Sequence, residues 1–142
     1  MKTRGLISAT LFLVALGLIT EAVADNVIDN RYTARLISPT AGQVLYPGQR
    51  VKVEWDATLP KTRATGCEME VVLSLDGGRT FNSYITPPLD PKVRYFYWTV
   101  PNTPTNAAVL DIRFGCEVFY PESRSPQPAS TFMIMQTAGQ FF

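Results

Sequence analysis

The sequence contains no histidine, and that absence removes a broad set of chemistries. Ser-His-Asp and Cys-His catalysis, His-ligated zinc and the usual general base near neutral pH all need an imidazole. Cysteine is scarce as well: Cys67 and Cys116 are the whole supply, too few for a four-cysteine metal site. Charge of one sign is also missing, with 13 Lys and Arg against 12 Asp and Glu and no run of like charge beyond the N-terminal segment. The electrostatic footprint of a nucleic-acid or anionic-lipid partner is therefore not there. No cofactor or metal is expected. What is present is an ordinary globular balance, 46% hydrophobic and 18% charged over 142 residues, enough for one domain.

Residues 1–24 read as a signal peptide. Lys2 and Arg4 give a positive start, residues 5–19 form an uncharged apolar run, and Ala22-Val23-Ala24 supplies a small-x-small cleavage site before Asp25. Retention as a membrane anchor is the competing reading. A span needs about 20 apolar residues, and Glu21 interrupts this run. Cleavage removes Lys2, Arg4 and Glu21, leaves eleven charges of each sign, and leaves no membrane span. Export to the extracellular space, the cell surface or a periplasm makes a disulfide permissible.

The rest of the chain alternates with period two. Val51, Val53 and Trp55 share one face of a strand at residues 50–55, and Cys67, Met69, Val71 and Leu73 share one face of the next. Further strands are predicted at residues 32–37, 95–100, 109–119 and 131–135, and turn residues such as Pro47-Gly48, Asp76-Gly77-Gly78 and Pro101-Asn102 separate them. Short strands punctuated this way predict an all-β antiparallel sandwich of about seven strands. Residues 25–35 form an N-terminal extension and the start of the first strand, and residues 36–142 the sandwich. Its core should comprise Val51, Val53, Trp55, Met69, Val71, Leu73, Phe96, Trp98, Leu110, Ile112 and Phe114.

Pairing Cys67 with Cys116 across antiparallel strands requires opposite residue numbers to sum to 183. That register sets Met69 by Phe114, Val71 by Ile112 and Leu73 by Leu110 on one face, and Glu70 by Arg113 on the other. A one-residue slip would turn charge into the core, so a Cys67–Cys116 bridge in this register is the expectation.

Ile37-Ser38-Pro39, Gly42, Gly48 and Val51-x-Val53-x-Trp55 resemble the opening of an immunoglobulin/fibronectin-III-like secreted module. The module is found in bacterial exported proteins and in the Ser/Thr-rich, GPI-anchored fungal cell-wall family linked to glucan assembly. Val71 to Phe81, Tyr97-Trp98-Thr99-Val100-Pro101 and Val109-Leu110-Asp111-Ile112-Arg113 are similar to its middle and its penultimate strand. The resemblance spans residues 36–134 and implies an immunoglobulin-like fold with cell-surface association. It implies no particular activity.

Ser74-x-Asp76-x-Gly78-x-Thr80-Phe81 is similar to the Asp-box of sialidase-type propellers, with Phe for Trp. A single copy without propeller repeats reads as a turn motif, Asp76 accepting from turn amides and the glycines adopting positive φ. Glu68 and Glu70 lie about 7 Å apart on one strand face, within the reach of an inverting glycosidase pair. Arg113 opposite Glu70 is expected to lower that carboxyl, the reverse of what a general acid needs.

Tyr95 and Tyr97 should point away from Phe96 and Trp98, forming an exposed aromatic pair that could meet a protein or stack on sugar rings. The loop at residues 121–128 should join the last two strands at one end of the sandwich, with Arg124 at its tip. The Phe141-Phe142 tail and residues 25–31 could add contacts to a neighbouring subunit. These features predict a non-enzymatic, secreted or surface module that binds a protein partner or serves a larger assembly. The alternatives are a polysaccharide-binding module using the tyrosines and, below it, a glycoside hydrolase.

Overall fold

The computed structural model describes residues 31–61 and 65–136. The signal peptide, residues 25–30 and the Phe141-Phe142 tail of the sequence reading lie outside the described residues. Among the described residues nine strands form: β1 Thr33–Ser38, β2 Val44–Leu45, β3 Arg50–Thr58, β4 Cys67–Ser74, β5 Ser83–Tyr84, β6 Tyr95–Thr99, β7 Thr105–Cys116, β8 Tyr120–Ser123 and β9 Phe132–Ile134. One sheet has the order β1-β3-β6. The other runs β2-β9-β7-β4-β5, with β8 also paired to β7. The fold is an all-β sandwich closed by one disulfide. All its ladders are antiparallel except the short β2–β9 pair, which is parallel.

The two sheets meet over side chains contributed alternately by each strand. Val51, Val53, Trp55 and Leu36 come from one sheet, and Met69, Val71, Leu110, Ile112, Phe114, Phe132 and Ile134 from the other. Trp55 is wholly buried at the centre, where truncation of such a residue costs about 3–5 kcal/mol. Of the eleven core residues expected from the sequence, ten are buried. Phe96 is the exception, half-buried because β6 is the last strand of its sheet. Tyr32 joins the core from just before β1. Its hydroxyl donates to the Ile112 carbonyl at 2.9 Å, and burial, aided by Asp111 and opposed by Arg94, pushes the phenol well above its ordinary range.

The β4–β7 ladder has the register the cysteines demand. Cys67 faces Cys116, Met69 faces Phe114, Glu70 faces Arg113, Val71 faces Ile112 and Leu73 faces Leu110. The bridge itself spans 49 residues of sequence, with a Cα–Cα distance of 3.9 Å. β7 ends at Cys116 rather than at residue 119. Residues 117–119 turn the chain into β8, which runs back along β7. Gly115 makes this return possible, because a Cβ there would stand 3.0 Å from the Glu122 Cα.

The segment at residues 121–128 is not the free end loop expected from its prolines. Its first part is β8, and its second part crosses from one sheet to the other. The Ile112 amide donates to the Ser125 carbonyl and the Gln127 amide to the Leu110 carbonyl. On the far side the Leu36 amide donates to Gln127 Oε1 at 2.9 Å, while Ser125 Oγ and Gln127 Nε2 each donate to the Ala34 carbonyl at 3.1 Å. This segment is a strap that stitches the β1 edge to β7.

Candidate functional site

Tyr95 and Tyr97 stand on the outer face of β6, half-exposed at 50% and 49%. Period-two geometry puts them there once Phe96 and Trp98 turn to the core. Their rings meet edge to face, 5.9 Å apart and inclined by 76°. Each ring also carries a cation from β3, with Arg50 4.7 Å over Tyr97 and Lys52 Nζ 4.9 Å over Tyr95. Lys52 is further held by Glu54 at 3.0 Å, and Arg35 by Asp56 at 2.8 Å. The face is thus a row of aromatic rings capped by charge, at the last strand of a sheet.

Around Asp76 the turn closes as a network. Ser74 Oγ donates to Asp76 Oδ1 at 2.7 Å, and the Arg79 and Thr80 amides donate to the same oxygen at 3.0 and 2.9 Å. Thr80 Oγ1 donates to Oδ2 at 2.7 Å, while Ser74 Oγ accepts from the Gly78 amide. These hydrogen bonds, that from the Thr80 amide foremost, hold the carboxyl far below the usual range. Gly77 and Gly78 both take positive φ, at 77° and 89°. Both carboxylate oxygens of Asp76 are occupied by the turn itself.

The outer face of the β4–β7 pair departs most from the sequence reading. Val72, Asp111 and Arg113 are buried there, where the flanking β5, β8 and strap send Tyr84, Glu122 and the Ser125 amide to them. Asp111 Oδ2 accepts from Arg113 Nε at 2.8 Å, and Oδ1 from the Ser125 amide at 2.9 Å. Arg113 reaches Tyr84 Oη and Glu122 Oε1, each at 3.3 Å. Burial by itself would lower the Arg113 guanidinium, but Asp111 and Glu122 more than offset it and push it up, so the charge is fixed.

A cleft of about 520 Å³ opens beside the disulfide, lined by Glu68, Glu70, Glu117, Glu122 and Arg113 among others. Glu70 in this cleft corrects the expectation that Arg113 lowers its carboxyl. The shift is upward, because partial burial and the like charges of Glu68 and Glu122 outweigh Arg113. Arg113 still lowers the carboxyl, but by less than burial raises it, and the guanidinium is shared with Asp111 and Glu122. Among the described residues no cluster of three or more Asp, Glu or Cys could hold a metal ion. No helix among them is long and apolar enough to cross a membrane. Arg124 is exposed on the strap, between Ser123 and Ser125, and not at the tip of an end loop.

The structure therefore brings Tyr95 and Tyr97 together, gathers Ser74, Asp76, Gly78 and Thr80 into one turn, and leaves Arg124 apart from both groups. Sequence reasoning missed Arg50 and Lys52 as partners of the tyrosines. Their outward positions on the alternating strand Arg50-Val51-Lys52-Val53 were the available signal, but it needed the β3–β6 register. No family model, no curated protein and no solved structure matches the chain.

Proposed function

We propose that this protein is a non-catalytic, disulfide-braced interaction module of the extracellular, surface or periplasmic space, which engages another polypeptide through the edge of β6. The observation that carries this reading is the edge itself: five-residue β6 pairs with β3 on one side and, among the described residues, with no strand on the other, and it bears two half-exposed tyrosines beside Arg50 and Lys52. Unpaired strand edges are templates for a further strand, and exposed tyrosines supply contact area at low entropic cost. The disulfide suits an oxidising compartment and, with the N-terminal segment, supports export.

A polysaccharide platform is less well supported, because the rings stand edge to face and their faces carry cations. Hydrolysis in the acidic cleft gains one supporting observation, the raised Glu70 carboxyl. Turnover of glycan substrates that disappears in Glu70→Gln would establish that rival.

The test of the interaction reading is site-specific photocrosslinking. A photoreactive phenylalanine analogue at position 97, in the exported protein within its native envelope, should give one discrete adduct with a defined polypeptide. The same probe at Val118, exposed at the β7–β8 turn, should not give that adduct. Absence of any adduct at position 97, or the same adducts at both positions, would defeat the reading.

A further inference from the structure

We infer that the polypeptide β6 receives is a second copy of this chain, paired antiparallel about a two-fold axis through Tyr97. The inference rests on the reading of β6 as the interaction edge and names its partner. Backbone parity is the first support. The Trp55 amide donates to the Arg94 carbonyl and the Val100 amide to the Gln49 carbonyl, both at 2.9 Å, bracketing the β3–β6 ladder. Residues 94, 96, 98 and 100 thus turn their amides and carbonyls toward β3. Tyr95, Tyr97 and Thr99 turn theirs outward. An antiparallel copy centred on Tyr97 sets Tyr97 against Tyr97 and Tyr95 against Thr99, so every outward amide and carbonyl of the strand meets a partner.

Charge is the second support. On the outer face Arg50 lies beside Thr99, Lys52 beside Tyr97 and Glu54 beside Tyr95. Continuing these rows across the axis ends two of them with Arg50 of one copy and Glu54 of the other, about 14 Å apart at three strand spacings. The middle row ends in Lys52 of each copy, held at 3.0 Å by Glu54 of its own chain, so each Glu54 stands between that lysine and the Arg50 across the axis. A parallel pairing would instead align Arg50 with Arg50 and Glu54 with Glu54. The charge pattern that β3 sets beside this edge is therefore self-complementary in one direction only.

The third support explains why association stops at two. The opposite edge of the same sheet, β1, has its Ala34 carbonyl and Leu36 amide occupied by Ser125 and Gln127 of the strap. With one edge closed and the other consumed by an isologous contact, no filament can grow from this sheet. Pro91 and Pro101 flank β6 and limit the contact to about one short strand, so the interface is small and the dimer reversible.

The experiment uses the full chain, expressed with its own leader and purified as processed. Sedimentation should show a mass rising from one chain toward two, and no further, over roughly 1–500 µM. Tyr97→Cys should form a covalent dimer on mild oxidation, since a hydrogen-bonded antiparallel pair places Cα atoms about 5.5 Å apart. Thr99→Cys alone should not. Tyr97→Lys should weaken dimerisation at least about tenfold, with near-ultraviolet circular dichroism confirming the fold.

A monomer at every concentration overturns the inference, and so does crosslinking of Thr99→Cys as readily as Tyr97→Cys. If the pure protein stays monomeric while the position-97 probe captures a different polypeptide, the second-copy inference falls and the interaction reading stands. If neither occurs, both fall.

Discussion

Replacing Asp111 by alanine tests the account of the buried outer face. The Asp111 side chain has no exposure, and its carboxylate accepts two hydrogen bonds, from Arg113 Nε at 2.8 Å and from the Ser125 amide at 2.9 Å. Alanine deletes both acceptors. Arg113, 6% exposed, then keeps only the 3.3 Å contacts to Tyr84 and Glu122, and the Glu122 carboxylate is itself half in solvent. Breaking a buried pair from one side costs about 3–5 kcal/mol, and the retained Glu122 places this case near 3. The orphaned Ser125 amide adds about 1 kcal/mol. The sum is about 4 kcal/mol, a large part of the 5–15 kcal/mol typical of a domain.

Urea unfolding followed by the fluorescence of Trp55 and Trp98, both buried, measures the loss, and an unchanged m-value certifies that the comparison is fair. A loss below about 1 kcal/mol would refute the reasoning. A second arm separates charge from packing: Asp111→Leu with Arg113→Met should recover at least half of the loss, because no buried charge remains uncompensated.

Three further outcomes are expected. The Cys67→Ala/Cys116→Ala protein should unfold about 4 kcal/mol more easily, the chain-entropy value for a closed segment of 49 residues, and a loss below about 1 kcal/mol would show that the bridge adds little beyond the ladder. Glu70 holds its proton more tightly folded than unfolded, so the folded state binds more protons and stability falls as pH rises above the ordinary value of 4.5. Glu70→Gln should therefore gain stability over the parent as pH goes from about 4 to 7, and an equal difference at both ends would refute the shift. Gly115→Ala should cost about 1–3 kcal/mol and speed amide exchange in β8, because the new Cβ meets the Glu122 backbone; unchanged exchange would contradict that close approach.

The part of the fold legible in the sequence is the part governed by local alternation. The register of β4 on β7 followed from two cysteines and three apolar pairs, because only one alignment keeps Met69, Val71 and Leu73 on the face of Phe114, Ile112 and Leu110. Tyr95 and Tyr97 were readable as outward for the same reason. What stayed hidden depends on residues far away in the chain. Val72 and Asp111 alternate with the core-facing residues of their strands, and their burial comes with β5, β8 and a strap whose Gln127 bonds to Leu36, 91 positions earlier. The strands β2 and β5 have two residues each, too few for any period to register. Glu70 was misjudged because its partial burial and the nearby Glu68 and Glu122 outweigh Arg113, which is also engaged by Asp111 two residues along the same strand.

The position of the disulfide has a mechanical corollary. With Cys67 tied to Cys116, 49 positions apart, a pull on the two ends of the chain cannot draw out the segment between them, and β4, β5, β6 and β7 lie inside that locked loop. Only β1 to β3 on one side and β8 to β9 on the other can lengthen, and the strap ties β1 to the second group. Reduction releases roughly 160–175 Å of additional contour length. Under tension the oxidised protein is a short tether with a fixed knot of sheet at its middle, and the reduced protein is a long one.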